Sequence, residues 1–289
     1  DLLLKRRISS ASRPITVSSN IQTVRAAGVT HIGGRENNED AFSILCGGRL
    51  LVVADGMGGH AGGDQASAQA VSSVAALAQP ILNDLADKNE EPSAVSAAIK
   101  NLLLEAIEKA NSDIAALNGS ASGRNRMGTT LTLVYIGRQR LHIAWVGASR
   151  VYLMRQGNLL QLNDDHTVNY ELYRLGKMTR QELRSETSGH GSNVITRSLG
   201  VKRVEPDYME EPLKGGDIVL ACSDGLNNSV SPALMGSHLS KPATMEELVN
   251  GLLQEALQAG ARDNVTVVAA GISNTCRSWG HRLWSWLGL

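Results

Sequence analysis

Three runs decide the fold: TTLTLVYI (Thr129–Ile136), LHIAWV (Leu141–Val146) and RVYLMR (Arg150–Arg155). Each is rich in β-branched, aromatic and other apolar residues, and only short turns separate them, Gly137-Arg138-Gln139-Arg140 and Gly147-Ala148-Ser149. Connections this short join antiparallel neighbours, because a parallel pair needs a long crossover. Another turn, Gln156-Gly157-Asn158, ends the next hairpin.

Upstream, Val24 to Ala54 alternates short apolar stretches with turns and reads as a second antiparallel series, with Cys46-Gly47-Gly48-Arg49 as a hairpin-like connection. Gly62 to Leu85 is Ala-rich and poor in strand formers, so it reads as a helix. A second helix spans about Pro92 to Leu117, where Val95, Ile99, Leu102, Leu103, Ala106, Ile107 and Ala110 recur as one apolar stripe. Pro92-Ser93 would start it and Asn118-Gly119 would stop it. Downstream, Asp217 to Ala221 and Asn264 to Gly271 read as buried strands with a helix, Met245 to Ala259, between them. Residues 163–192 are polar and mixed in charge, and suit a surface insertion. Hairpin-built sheets leave a face to be covered, and the Ala-rich helices can cover it. The expected fold class is therefore an α/β layered sandwich rather than a doubly wound parallel sheet. There is no internal repeat and no second-domain boundary.

The 289 residues carry 28 basic and 28 acidic side chains, which gives no support to a general nucleic-acid-binding surface. With 29 glycines and a single Phe, the core must rest on Leu, Val, Ile and Ala. Cys46, Cys222 and Cys276 form no zinc spacing and are odd in number, which fits the reducing cytoplasm. No apolar run approaches a membrane span, and no signal peptide is visible in a chain whose first residue, Asp1, need not be its natural start. Residues 1–25 read as a flexible terminus or expression remnant, or as an anchor or partner segment. The tail, residues 272–289, carries Trp279, Trp284 and Trp286 among Arg277, His281 and Arg282. It reads either as a helix that meets a partner or membrane surface, or as one that packs back on the domain.

Four acidic islands lie beside the apolar runs: Arg35 to Asp40, Asp55 to His60, Ser223-Asp224-Gly225 and Asp263-Asn264. Alone, an Asp-Gly pair is a common turn and a Glu-Asp pair is ordinary surface. Together, carboxylates at several strand ends offer hard oxygen ligands suited to Mg²⁺ or Mn²⁺ rather than zinc. Glu39-Asp40 falls across a hairpin from Asp55, where the carboxylates would repel without a cation. Arg35 in the same set suits an oxyanion, and the set points to metal-assisted hydrolysis of a phosphate ester.

Seven pieces, in order, carry a family resemblance: Gly33 to Ala41, Val53 to His60, Met127 to Thr130, Val146 to Tyr152, Ile195 to Gly200, Ser223 to Leu226, and Asp263 to Thr266. The chain resembles the metal-dependent protein serine/threonine phosphatases of the 2C (PPM) class, bacterial-type branch, from about residue 26 to 271. The resemblance implies an α-β-β-α sandwich of two antiparallel sheets flanked by helices, with a two-metal centre at one edge. It implies hydrolysis of phosphoserine and phosphothreonine in proteins by a hydroxide bridging two Mn²⁺ or Mg²⁺ ions. Asp55 would bridge both ions, the Gly56 carbonyl would bind the second, and Asp224 and Asp263 would hold the first. Glu39 would act through metal-bound water, with Asp40 beside it, and Arg35 would clamp the phosphate. Residues 163–192 would be the flap over the cleft.

Ala148 departs from the pattern, which has aspartate there and uses it for a third, weaker ion. The third ion is then weakened or absent. The alanine reads as a natural change or as an introduced one, and the intactness of every other core piece favours the second. Met57 replaces a histidine that some relatives use as proton donor; His60 is nearby but reads as structural or surface-facing. His31, His142, His166 and His190 lack a local zinc spacing, though His166 is a candidate for the flap base. Arg150 could hold the altered turn by a salt bridge, Asn264 could hydrogen-bond around Asp263, and Met127–Thr130 reads as architectural. Cys46 and Cys222 read as core, with Cys222 close enough to Asp224 to confer oxidation sensitivity. The competing functions are a pseudophosphatase that binds phosphoproteins without turnover, favoured only by Ala148, and a small-molecule phosphatase.

Overall fold

The computed structural model describes residues 21–57, 62–87, 92–121, 126–186, 194–241 and 243–275. The described chain begins with β1 (Ile21–His31), β2 (Asp40–Leu45), a 3₁₀ turn at Cys46–Gly48 and β3 (Leu50–Met57), followed by the long helices α1 (Gly63–Asp87) and α2 (Pro92–Asn118). A run of short strands comes next: β4 (Gly128–Thr129), β5 (Leu131–Ile136), β6 (Arg140–Val146), β7 (Arg150–Arg155) and β8 (Asn158–Gln161). Two short helices, α3 (Val168–Arg174) and α4 (Arg180–Glu186), precede β9 (Asp207–Pro212) and β10 (Ile218–Cys222). The described chain ends with α5 (Asp224–Ser229), α6 (Pro232–Leu239), α7 (Met245–Gln258) and β11 (Val265–Thr275).

The strands form two sheets, ordered β1-β11-β10-β7-β8 and β2-β3-β5-β6-β9, with β4 on the end of β3. Every named strand pair is antiparallel, as the short turns require. Side-chain alternation then sorts the core into three layers. On β3, Leu51 and Val53 point between the sheets, where they join Val134, Ile143, Val151, Val219, Val268 and Ala270. Leu50, Val52 and Ala54 point the other way, onto α1 and α2. On the far side, Val265, Val267 and Ala269 of β11 pack with Leu248, Leu252 and Ala256 of α7. The result is an α-β-β-α sandwich.

Small residues set the helix spacing. Ala66, Ala70, Val74, Ala78 and Leu82 recur every four residues on α1 and are fully buried, so the helix lies close to its sheet. Leu103 and Ile107 of α2 fill the remaining space, and truncating either to Ala would cost about 2–5 kcal/mol. A capping box between Thr244 and Glu247 starts α7.

Three features differ from the sequence reading. The run from Thr129 to Ile136 is broken at Thr130, whose polar groups turn to the edge of β3. The segment 163–192 forms two short helices in its described part, and its root is core-like, with Asn163, His166 and Thr167 all buried. Strand β9 carries no apolar alternation because it is an edge strand; Glu210 and Glu211 give it the charged character that blunts edge pairing. Among the described residues, no helix is long and apolar enough to cross a membrane. Residues 1–20, His60, His190, Cys276 and the Trp-rich end from 276 lie outside the described residues.

Candidate metal centre

The hairpin of β2 and β3 pairs Asp40 directly with Asp55 at its open end. Two carboxylates are thereby set across one ladder rung, as the sequence spacing implied. Asp55 is anchored through its backbone: its N–H donates to Thr130 Oγ1 at 3.0 Å. Its carbonyl accepts from Thr130 N–H at 2.8 Å and from Thr129 Oγ1 at 3.0 Å. Gly56 follows at a crossing where no larger residue fits, because a Cβ would stand 2.2 Å from the Gly63 carbonyl oxygen and 2.5 Å from that of Glu39.

Asp40 is buried and held on one side only. Its Oδ2 accepts hydrogen bonds from Ser223 Oγ and Thr266 Oγ1, both at 2.7 Å, while its Oδ1 is buried without a partner. An orphaned carboxylate oxygen facing other carboxylates is the arrangement a cation completes. Asp224 opens α5 at the end of β10, and Asp263 precedes β11. Burial, then the charges of Asp263 and Asp40, push Asp224 up to about 6. Burial likewise pushes Asp40 up to about 6, against the hydrogen bonds from Thr266 and Ser223 and with the charges of Asp263 and Glu39. Asp55 is held well above the usual carboxylate range by burial and then by Asp224, Asp40 and Asp263. Glu39 lies with its carboxylate against the backbone at Gly63, where α1 begins, and burial followed by the Asp64 charge raises its pKa. Each carboxylate disfavours ionisation of the next, and a divalent ion would remove that conflict.

Arg35 lies on the exposed rim with its Nη2 2.7 Å from Asp263 Oδ2, and that hydrogen bond raises its pKa further. Asp263 leans towards Arg35, and Asp40 is tethered to Ser223 and Thr266. Accordingly, no three His, Cys, Asp or Glu side chains stand as a finished ligand shell among the described residues. The donor set still suits a hard divalent ion in composition, in its mutual repulsion and in the unpartnered Asp40 oxygen.

The turn bearing Ala148 touches this centre through Thr130. Thr130 Oγ1 is 2.9 Å from Ser149 Oγ, and Gly147, at φ 110°, has no room for a Cβ, which would come within 2.5 Å of Thr130 Cγ2. Ala148 itself is buried. On the turn's other side, His166 exchanges hydrogen bonds with Gly147: Gly147 N–H donates to His166 Nδ1 at 3.1 Å, and His166 N–H donates to the Gly147 carbonyl at 3.0 Å. Arg150 grips Asp165 with Nε and Nη2, at 2.6 Å for the shortest contact, as its position after the turn suggested. His166 stacks on Trp145 at the root of the 163–192 segment.

The remaining candidates fall away from the chemistry. His31 accepts from Gly33 N–H, and buried His142 bonds Tyr208. Cys222 is fully buried, as its reading as a core residue implied, and burial pushes its thiol up to about 12, which disfavours the thiolate on which oxidation sensitivity would depend.

Residues 27–264 match the family described as Protein phosphatase 2C. The chain belongs to that family. Among curated members it is 37% identical over 238 residues to the serine/threonine protein phosphatase PstP of Mycobacterium tuberculosis, an alignment covering 82% of this chain and 43% of PstP. It thus spans less than half of that relative's length. It is 34% identical over 240 residues to the serine/threonine phosphatase stp of Listeria monocytogenes, covering 81% of this chain and 90% of stp. Among solved structures, the catalytic domain of PstP in complex with two manganese ions superposes with a TM-score of 0.72 at 34% identity, covering 88% of this chain and all of that one.

Within this phosphatase 2C fold, the supports of the acidic residues were the part the sequence concealed. Thr130, Ser223 and Thr266 hold Asp55 and Asp40, and Asp64 is set beside Glu39. The available signal was a polar residue within a buried run next to an acidic island, as at Ser223 and Thr266.

Proposed function

We propose that this phosphatase 2C domain, assigned to residues 26–271, hydrolyses phosphoserine and phosphothreonine in proteins with Mn²⁺ or Mg²⁺. The observation that carries the reading is the facing of Asp40, Asp55 and Asp224 at one edge of the sandwich, with Arg35 on the rim. The manganese-bound PstP structure supports divalent-metal dependence, and the stp and PstP names support a phosphoprotein substrate. Asp55 and the Gly56 carbonyl, Asp224 and Asp263 are the proposed ligands of two ions, with Glu39 and Asp40 as ligand or orienting groups. Bound divalent ions lower the pKa of water to near neutrality and offset charge on phosphoryl oxygens.

The protein's own groups do the rest. Arg35 swings from Asp263 to grip two phosphoryl oxygens, a geometry its planar guanidinium suits. Thr129 and Thr130 fix the Asp55 backbone, so that its carboxylate is aimed before substrate arrives. Ser223 and Thr266 orient Asp40. Ala148 offers no ligand oxygen, so a third ion is weakened or absent. The segment 163–192 is the proposed flap. A cytoplasmic location rests on the odd number and wide spacing of the cysteines, and a partner or membrane contact through the tail rests on its tryptophans alone.

The test is release of phosphate from a phosphothreonine peptide with and without Mn²⁺. Metal-dependent release is expected. A folded protein that binds the peptide but releases nothing would make it a phosphoprotein-binding module instead.

A further inference from the structure

The side chain of Asn264 is buried, and all three of its hydrogen bonds go to one loop. Its Oδ1 accepts from Glu39 N–H at 2.8 Å, and its Nδ2 donates to the Ile32 carbonyl at 2.9 Å and the Asn37 carbonyl at 2.8 Å. One backbone N–H and two carbonyls fix the amide orientation. The loop so closed, residues 32–39, carries Arg35, whose own N–H donates to the same Ile32 carbonyl at 3.3 Å.

The backbone around Asn264 ties the loop to the acidic centre. Its N–H donates to Asp263 Oδ1 at 2.9 Å. The Asp263 carbonyl lies where a Cβ on Gly33 would come within 1.9 Å, and the Asn264 carbonyl lies 2.0 Å from where a Cβ on Gly225 would stand. The next residue, Val265, pairs with His31 where β1 ends. The loop bearing the rim arginine is therefore seated on residues 263–264 by backbone contact and latched by one side chain.

We propose that Asn264 is the positioning residue of the phosphate grip: its amide holds the 32–39 loop so that Arg35 presents its guanidinium over the acidic centre. The inference rests on the reading that Arg35 binds the substrate phosphate. Asparagine suits this role because two of the three bonds need a donor. Aspartate has the same size, but the oxygen in place of Nδ2 would face the Ile32 and Asn37 carbonyls.

The experiment is a double-mutant cycle of Asn264→Ala and Arg35→Ala. For each protein the KM and kcat for a phosphothreonine peptide, the Kd of inorganic phosphate, and the Kd of Mn²⁺ by calorimetry are measured. Asn264→Ala is expected to raise the KM and the phosphate Kd about tenfold, with the Mn²⁺ Kd changed less than about threefold. In the Arg35→Ala background the same change should move the phosphate Kd less than about twofold, because the grip is already gone. An equal effect in both backgrounds, or a loss of Mn²⁺ affinity larger than that of phosphate, overturns the proposal and leaves Asn264 as a support of Asp263. If the alanine variant does not fold, Asn264→Asp and Asn264→Ser enter the same cycle, with amide exchange over 32–39 as a readout of the latch. A wild-type protein without turnover would remove the phosphatase reading, while the phosphate affinities would still decide the role of Asn264.

Discussion

The turn Gly147–Ser149 joins two acidic regions that handle burial in opposite ways. At the root of the 163–192 segment the acidic side chains meet cations: Asp165 meets Arg150 at 2.6 Å, and Asp207 and Glu171 meet Arg197 at 3.0 and 3.4 Å. At the candidate metal centre Asp40, Asp55 and Asp224 face one another, and the arginine on the rim contacts Asp263. Burial alone would lower the pKa of Arg150, yet the charge and hydrogen bonds of Asp165 raise it on balance. Burial of Asp55 is instead reinforced by its neighbours. A charge neutralised within the protein holds the fold together, whereas a charge left in conflict is a site waiting for an external cation.

The largest test of this contrast is Asp55→Asn. The change keeps the size and removes one charge from the conflicted cluster. Turnover of phosphopeptide at saturating Mn²⁺ should fall by at least about 10³-fold if Asp55 is the ligand proposed to be shared by both ions. In chelator the variant should be more stable than the parent by about 1 kcal/mol, because like-charge repulsion is relieved. Denaturant unfolding with and without chelator reads this second effect. A variant with near-normal turnover would remove Asp55 from the proposed centre.

Arg150→Ala probes the compensated side. It leaves the Asp165 carboxylate, 13% exposed, without its bidentate partner. Breaking such a pair costs about 3 kcal/mol, roughly a hundredfold in the folding equilibrium. The loss should appear in urea unfolding, and the folded fraction should keep its affinity for Mn²⁺. A loss below about 0.5 kcal/mol would mean that the pair behaves as ordinary surface.

The pH dependence should have opposite signs with and without metal. Asp40 and Asp224 have folded-state pKa values raised from 3.8 to about 6. Between those values the folded state binds more protons than the unfolded chain, so stability is present at low pH and is lost as pH rises through about 6. In chelator, the melting temperature should therefore rise when the pH is lowered from 7.5 to 5, by an amount equivalent to about 1–2 kcal/mol. With Mn²⁺ the trend should reverse, since ligands must lose their protons to bind. Melting curves at the two pH values check both arms, and the same sign in both would count against a coupled acidic centre.

Legibility followed sequence distance. The β5–β6–β7 meander could be read because its turns are local, and the Asp40–Asp55 rung followed from a single hairpin. The six-residue strand β9 could not, because DYMEEP owes its strand state to β6 and the charged edge it presents, not to its own pattern. Arg35, Asp224 and Asp263 were read as acidic islands at strand ends and then through a family motif, and Asn264 was read beside Asp263, but the distant partners of Asp40 were not. The bond from Ser223 to Asp40 and the one from Thr266 to the same oxygen close loops of 183 and 226 residues. No local window contains both ends of such a contact. The motif therefore named the conflicting charges, and only the fold showed what keeps them aimed.

The smallest effect, and the most informative about the boundary between the two regions, is expected of Ala148→Asp. Residue 148 is buried in the turn that reaches Asp55 through Ser149 and Thr130 on one side and Asp165 through Arg150 on the other. A carboxylate there must join one region or the other. If it joins the conflicted centre, burial without a cation should destabilise the protein in chelator by about 1–2 kcal/mol. Mn²⁺ should then restore more stability than it gives the parent, because one more ligand oxygen is available for a weak third ion. Phosphopeptide hydrolysis should rise about two- to fivefold at limiting Mn²⁺ and converge with the parent at saturation, since added affinity is worth less once the ions are bound. If it joins the compensated region, Arg150 will share its guanidinium between residues 148 and 165. In that case both the Mn²⁺ titration and the chelator melt will match the parent. The paired titration and melt distinguish these outcomes, and the second would leave Ala148 as a tolerated variation with no bearing on a third ion.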